Sequence, residues 1–125
     1  MAYNILIVDD SSTMRRIISR VVKMAEVPIQ AIHQAENGAE AWEVMQREWI
    51  DIVFLDLNMP VMDGITLVEK MRADRALRTL PVVVVSAERS RERSERLEEI
   101  GVDAYIHKPF TPEAMKEIFR EVLGG

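Results

Sequence analysis

Asp56 stands directly after the apolar run Val53-Phe54-Leu55 and directly before Leu57-Asn58-Met59-Pro60. Apolar residues that stop on a carboxylate are the pattern of a strand buried on both faces that delivers an acid to its end. The same pattern occurs earlier, where Ile5-Leu6-Ile7-Val8 runs into Asp9-Asp10. Val82-Val83-Val84-Val85 stops at Ser86-Ala87, and Tyr105-Ile106-His107 leads into Lys108-Pro109. In an open parallel sheet, ligands bind beyond the carboxyl ends of the strands, so these groups would line one site. Three carboxylates gathered there repel one another and require a proton or a cation. Oxygen donors without His or Cys suit a hard cation. Mg²⁺ fits better than Ca²⁺, because few protein ligands are on offer and waters can complete its octahedron. With Lys108, such a site would draw in a phosphoryl group, and a carboxylate in it can act as nucleophile to give an acyl phosphate. Asp56 is the best placed, on a central strand between the Asp9/Asp10 pair and Ser86. Taken singly, an Asp after a strand is most often a turn or cap residue, and a Lys-Pro is most often a loop. Coincidence at four strand ends is what favours a site.

The elements that must position these residues are readable in chain order. Ser11 or Ser12 caps a first helix with an apolar face of Met14, Ile17, Ile18, Val21, Val22 and Ala25. Its basic face, Arg15, Arg16, Arg20 and Lys23, is either solvated or a docking face beside the site. Ile29 to Ala35 reads as a less buried strand near an edge, and Asn37-Gly38 as a turn. Ala41, Trp42, Val44 and Met45 suggest a second helix, Asp51 to Leu55 a strand, and Ile65, Leu67, Val68 and Met71 a third helix. Arg72 to Thr79 reads as a polar connection, and Pro81 as the first residue of the valine-rich strand. Glu88 to Glu99 carries charges of both signs, with only Leu97 and Ile100 as a core face, and reads as a solvated, weakly anchored fourth helix ended by Gly101. Asp103 to His107 is the last strand. Thr111 caps a fifth helix with Pro112 in its first turn and Gly124-Gly125 at its end. Five strands alternating with five helices predict an α/β fold with a mostly parallel sheet and right-handed crossovers.

The bulk properties bound the rest. The 125 residues fit one domain over 1–125, with 48% hydrophobic and 30% charged residues. The net charge of −5 argues against nucleic-acid binding and against an anionic membrane surface. The chain has no cysteine, so disulfides and thiolate metal sites are excluded. No run is long enough for a membrane span, and the first residues do not form a secretory signal, so a cytoplasmic protein is expected.

Asp9-Asp10, Asp56, Ser86 and Lys108-Pro109, in this order and at these intervals, resemble the receiver domain of two-component response regulators. Asp10 to Arg16 and Asn58 to Gly64 are similar to the CheY-like chemotaxis branch in particular. The resemblance covers essentially the whole chain. It implies a flavodoxin-like, five-stranded parallel sheet of order 2-1-3-4-5 with five helices on both faces. It implies that Asp56 accepts phosphate from a histidine kinase or a histidine phosphotransfer domain. Asp9, Asp10, Asp56 and the Asn58 carbonyl would hold Mg²⁺, Asp9 mainly through water. Lys108 would bind phosphoryl oxygens, through a cis bond to Pro109. Ser86 would be the switch hydroxyl, Tyr105 the coupled aromatic, and Ala87 the small residue that keeps the site accessible. Asn58 and Glu88 would place the water that removes the phosphate. The implied protein is a signalling phospho-acceptor that catalyses only its own phosphorylation and dephosphorylation. A downstream protein would read the face made by the fourth predicted helix, fifth strand and fifth predicted helix. The resting state would be a monomer, and a phosphorylation-dependent dimer would use that face. Leu57 departs from the branch, whose best-known members carry a tryptophan there.

Three other readings meet obstacles. A phosphatase of the haloacid-dehalogenase type needs an acid two residues after its nucleophile, where this chain has Asn58. A flavodoxin-like electron carrier needs a phosphate-binding loop where Asp9 and Asp10 stand. A pure interaction module that takes no phosphate would not need the acids, Ser86 and Lys108 together.

Overall fold

The computed structural model describes residues 2–56, 64–86, 98–99, 101–107 and 111–124. Five strands, β1 (Tyr3–Val8), β2 (Ile29–Ala35), β3 (Ile52–Leu55), β4 (Val82–Ser86) and β5 (Ala104–His107), form one sheet in the order β2-β1-β3-β4-β5. Every neighbouring pair is parallel. Four helices lie among the described residues: α1 (Ser12–Met24), α2 (Gly38–Arg47), α3 (Gly64–Ala73) and α4 (Pro112–Leu123). The expected set was five. Of the segment expected to form the other one, Glu98 and Glu99 are described and helical, and 88–97 lies outside the described residues.

Period-two alternation along β1 and β3 builds two cores. Leu6, Val8, Val53 and Leu55 face the side covered by α2 and α3, through Ala41, Val44, Met45, Leu67, Val68 and Met71. Ile5, Ile7, Ile52 and Phe54 face the side covered by α1 and α4, through Ile18, Val22, Met115, Ile118 and Phe119. Residues on both faces of these strands are fully buried, which explains why the runs are unbroken by polar residues. Phe54 meets Phe119 with ring centroids 5.6 Å apart, tying the central strand to α4.

The helix ends follow their sequence signals, with one reassignment. Ser11 caps α1 by accepting from the Met14 amide at 3.1 Å. Thr111 does the same for α4 towards Ala114, with proline in the first turn and Gly124 closing the helix in the left-handed region. Asn37-Gly38 is a helix start rather than a free turn. Asn37 accepts from the Glu40 amide at 2.8 Å, and Gly38 is the first residue of α2. Four boundaries also move. Arg72 belongs to α3, and β3, β4 and β5 begin one residue after Asp51, Pro81 and Asp103.

Candidate functional site

Strand order reverses between β1 and β3. The chain passes from β1 outward to β2, then returns to the other side of β1. This switch point opens a crevice beyond the carboxyl ends of these two strands. Val8 pairs with Leu55 in the ladder, so the next residues, Asp9 and Asp56, are cross-strand neighbours. The Asp56 amide donates to the Val8 carbonyl at 2.9 Å, and the Asp9 amide to the Ala35 carbonyl at 3.1 Å. The main chain therefore stays in strand pairing up to both acids. Asp10 follows on the bend into α1. One carboxylate oxygen from each of Asp9, Asp10 and Asp56 lies within 4.8 Å of the others.

The three acids differ in exposure. Asp9 is 2% exposed, Asp56 is half-buried and Asp10 is exposed. Asp9 Oδ1 accepts from the Ser11 amide at 2.9 Å, which curls the loop back on the buried acid. The donors are all oxygen and all carboxylate, and their clustering is unfavourable without a neutralising partner. That donor set fits a hard cation such as Mg²⁺.

Ser86 is the last residue of β4, and its backbone stands in register with His107 at the end of β5. Tyr105 pairs with Val84 two residues earlier and packs half-buried against it. The other residues singled out in the sequence, Leu57, Asn58, Ala87, Glu88, Lys108 and Pro109, lie outside the described residues.

One contact at the site was missed in the sequence. Arg15, assigned there to the basic face of the first helix, donates from Nη1 to the Asp9 carbonyl at 2.7 Å and from Nε to Gln34 Oε1 at 3.0 Å. The available signal was its place on the first turn of a helix that starts at the acid pair. From there a long side chain can reach back over the loop.

With the geometry in place, comparison with known proteins decides the family. The family model of the response regulator receiver domain matches residues 5–120. The chain belongs to that family. It is 39% identical over 121 residues to a chemotaxis protein CheY homolog of Campylobacter jejuni, covering 96% of this chain and 92% of that protein. The chemotaxis protein CheY4 of Vibrio cholerae superposes with a TM-score of 0.86 at 28% identity, over 98% of this chain and 99% of the other. The receiver domain of a sensor histidine kinase from Pseudomonas aeruginosa, with a magnesium ion coordinated in its active-site cleft, shares the fold. Its TM-score is 0.85 at 21% identity, with full coverage (100%) of both chains. The chain is thus a CheY-like receiver domain of two-component signalling, a signalling module rather than a classical enzyme. Such domains work with histidine kinases and with downstream targets. Among the described residues, no helix is long and apolar enough to cross a membrane.

Proposed function

We propose that residues 1–125 act as one cytoplasmic receiver domain in which Asp56 is the phospho-acceptor. The observation that carries this reading is the meeting of Asp9, Asp10 and Asp56 at the switch point, with donor oxygens within 4.8 Å. An Asp56 carboxylate oxygen attacks the phosphorus of a kinase phosphohistidine. The P–N bond breaks, its electron pair stays on the imidazole, and the imidazole takes up a proton. Asp9, Asp10 and Asp56, with the Asn58 carbonyl, would hold Mg²⁺, which when bound neutralises the phosphoryl oxygens. Lys108 supplies the second positive charge. Half-burial of Asp56 limits competition from water at the nucleophile.

The added charge then acts as a switch. Ser86 turns its hydroxyl to the phosphoryl group, Ala87 leaves room for it, and Tyr105 moves into the vacated space. The surface around β5, α4 and the 88–99 segment changes shape for a downstream protein. Asn58 and Glu88 place the water that hydrolyses the acyl phosphate and resets the domain. The relationship to chemotaxis proteins supports a target of that kind, with a monomer at rest and dimerisation on the same surface as the alternative output.

The test is intact-protein mass after incubation with Mg²⁺ and acetyl phosphate. One added phosphoryl group is expected, absent in Asp56→Asn and in EDTA. Beryllofluoride binding covers the case of rapid hydrolysis. If the parent chain takes up neither phosphate nor beryllofluoride, it is a receiver-shaped interaction module instead.

A further inference from the structure

Asp10 is the acid of the cluster least able to find its place by packing. It is exposed, it follows the end of β1, and it sits on a bend rather than in a strand or helix. Its position depends on the peptide that joins it to Asp9. That peptide is held by Arg15, whose Nη1 donates to the Asp9 carbonyl at 2.7 Å. The peptide that follows Asp10 is held as well, its Ser11 amide donating to Asp9 Oδ1 at 2.9 Å. The guanidinium is braced in turn by Gln34 Oε1 at 3.0 Å, and Gln34 belongs to β2, paired in register with Ile7 of β1. A chain of contacts therefore runs from β2 through Gln34 and Arg15 to the carbonyl that orients Asp10.

We infer that Arg15 is a positioning residue of the acid cluster, fixing the Asp9–Asp10 peptide so that Asp10 can bind a divalent cation. The inference rests on the reading of that cluster as a cation site. Its planar fork suits the task, because one guanidinium can address a main-chain carbonyl and a side-chain amide together. An ammonium at the same place can hold the carbonyl but cannot brace itself on Gln34 in the same geometry.

The sign of the effect separates positioning from plain electrostatics. Arg15 brings positive charge near a cation site. If charge were its whole contribution, Arg15→Ala would bind Mg²⁺ more tightly. If it positions Asp10, Arg15→Ala binds Mg²⁺ more weakly, by about tenfold, the low end for loss of an outer-shell partner of a metal ligand. Arg15→Lys should recover part of that loss, and Gln34→Ala should show a smaller loss in the same direction. Arg16→Ala is the control, because Arg16 is exposed on the same helix.

The experiment is calorimetric titration of the full chain and these variants with MgCl₂, with the unfolding midpoint of each measured in EDTA. In an Asp10→Asn background, Arg15→Ala should lose most of its effect, because the residue it positions no longer carries the charge. Affinity in Arg15→Ala equal to or above the parent's would overturn the inference, as would an undiminished effect in the Asp10→Asn background. Should Arg15→Ala fail to fold, Gln34→Ala carries the test alone, and an unchanged affinity there would overturn the brace. A parent chain that binds no Mg²⁺ would overturn the cation-site reading itself, and with it the role given to Arg15.

Discussion

Asp51 and Asp103 each stand one residue before a strand at the amino end of the sheet, while Asp9, Asp10 and Asp56 follow strands at its carboxyl end. The amino-end acids are satisfied by the main chain. Asp51 Oδ2 accepts from the Asn4 amide at 2.7 Å while its own amide donates to the Asn4 carbonyl at 2.8 Å. Asp103 repeats the device one strand pair away, with Val82 as partner at 2.8 Å and 3.0 Å. Both carboxylates take a further donor, Trp49 Nε1 for Asp51 at 3.0 Å and Arg72 Nη2 for Asp103 at 3.1 Å. Arg72 extends the arrangement, donating also to the carbonyls of Leu77, Arg78, Leu80 and Gly101 at 2.7–3.4 Å. One guanidinium thus joins the end of α3, the start of β4 and the approach to β5. At the carboxyl end the same residue type is gathered against its own kind. Both amino-end aspartates are held by amides of a neighbouring strand, whereas Asp9 takes its main-chain donor from its own loop, at Ser11, and lies beside two further carboxylates. Main-chain amides hold the acids at the amino end, and three carboxylates are brought together at the carboxyl end, the arrangement on which the proposed cation site rests.

The comparison can be broken from either end. The largest effect is expected for Arg72→Ala, a loss of about 2–3 kcal/mol in urea unfolding, because several carbonyls lose a charged donor at once. The Mg²⁺ affinity of that variant should stay at the parent value. A large fall would mean that the two ends are coupled. Gly101→Ala should cost about 1–2 kcal/mol. Its φ is +91°, and an added Cβ would lie 3.2 Å from Arg72 Nε. Asp51→Ala should cost about 1.5 kcal/mol by the same measurement, and Asp51→Asn clearly less, since an amide oxygen still accepts from Asn4. Equal losses would show that the charge, and not the acceptor, matters there.

Much of this division was legible in the sequence, but unevenly. The carboxyl-end acids were readable because each follows an unbroken apolar run, and a strand buried on both faces leaves no other place for a charge. The caps at Ser11, Thr111 and Gly124 were readable because their partners lie within the next turn or the last. Asp51 and Asp103 were absorbed into the strands they precede, since their partners are 47 and 21 residues away in the chain. Arg72 was assigned to a polar connection for a similar reason, its acceptors being carbonyls, which carry no residue identity. Arg15 was hidden by helical periodicity, which places it on the polar face without showing that the side chain turns back towards Asp9. The parallel sheet followed from alternation of strands and helices. The strand order did not, and came only from the family resemblance.

The most direct test compares Asp10→Asn with the parent chain in urea unfolding, in EDTA and again with excess MgCl₂. Two carboxylates with oxygens within 4.8 Å of one another repel by on the order of 1 kcal/mol in a water-like dielectric, and by less once salt screens the exposed one. Removing the exposed charge should therefore stabilise the metal-free protein by up to about 1 kcal/mol. The parent should gain about 2.7 kcal/mol at a hundredfold excess of Mg²⁺ over its Kd, and Asp10→Asn much less, so that the order of stability reverses between the two conditions. An Asp10→Asn variant that is less stable than the parent in EDTA, or that gains as much from Mg²⁺, would contradict the proposal of a cation site at the carboxyl end.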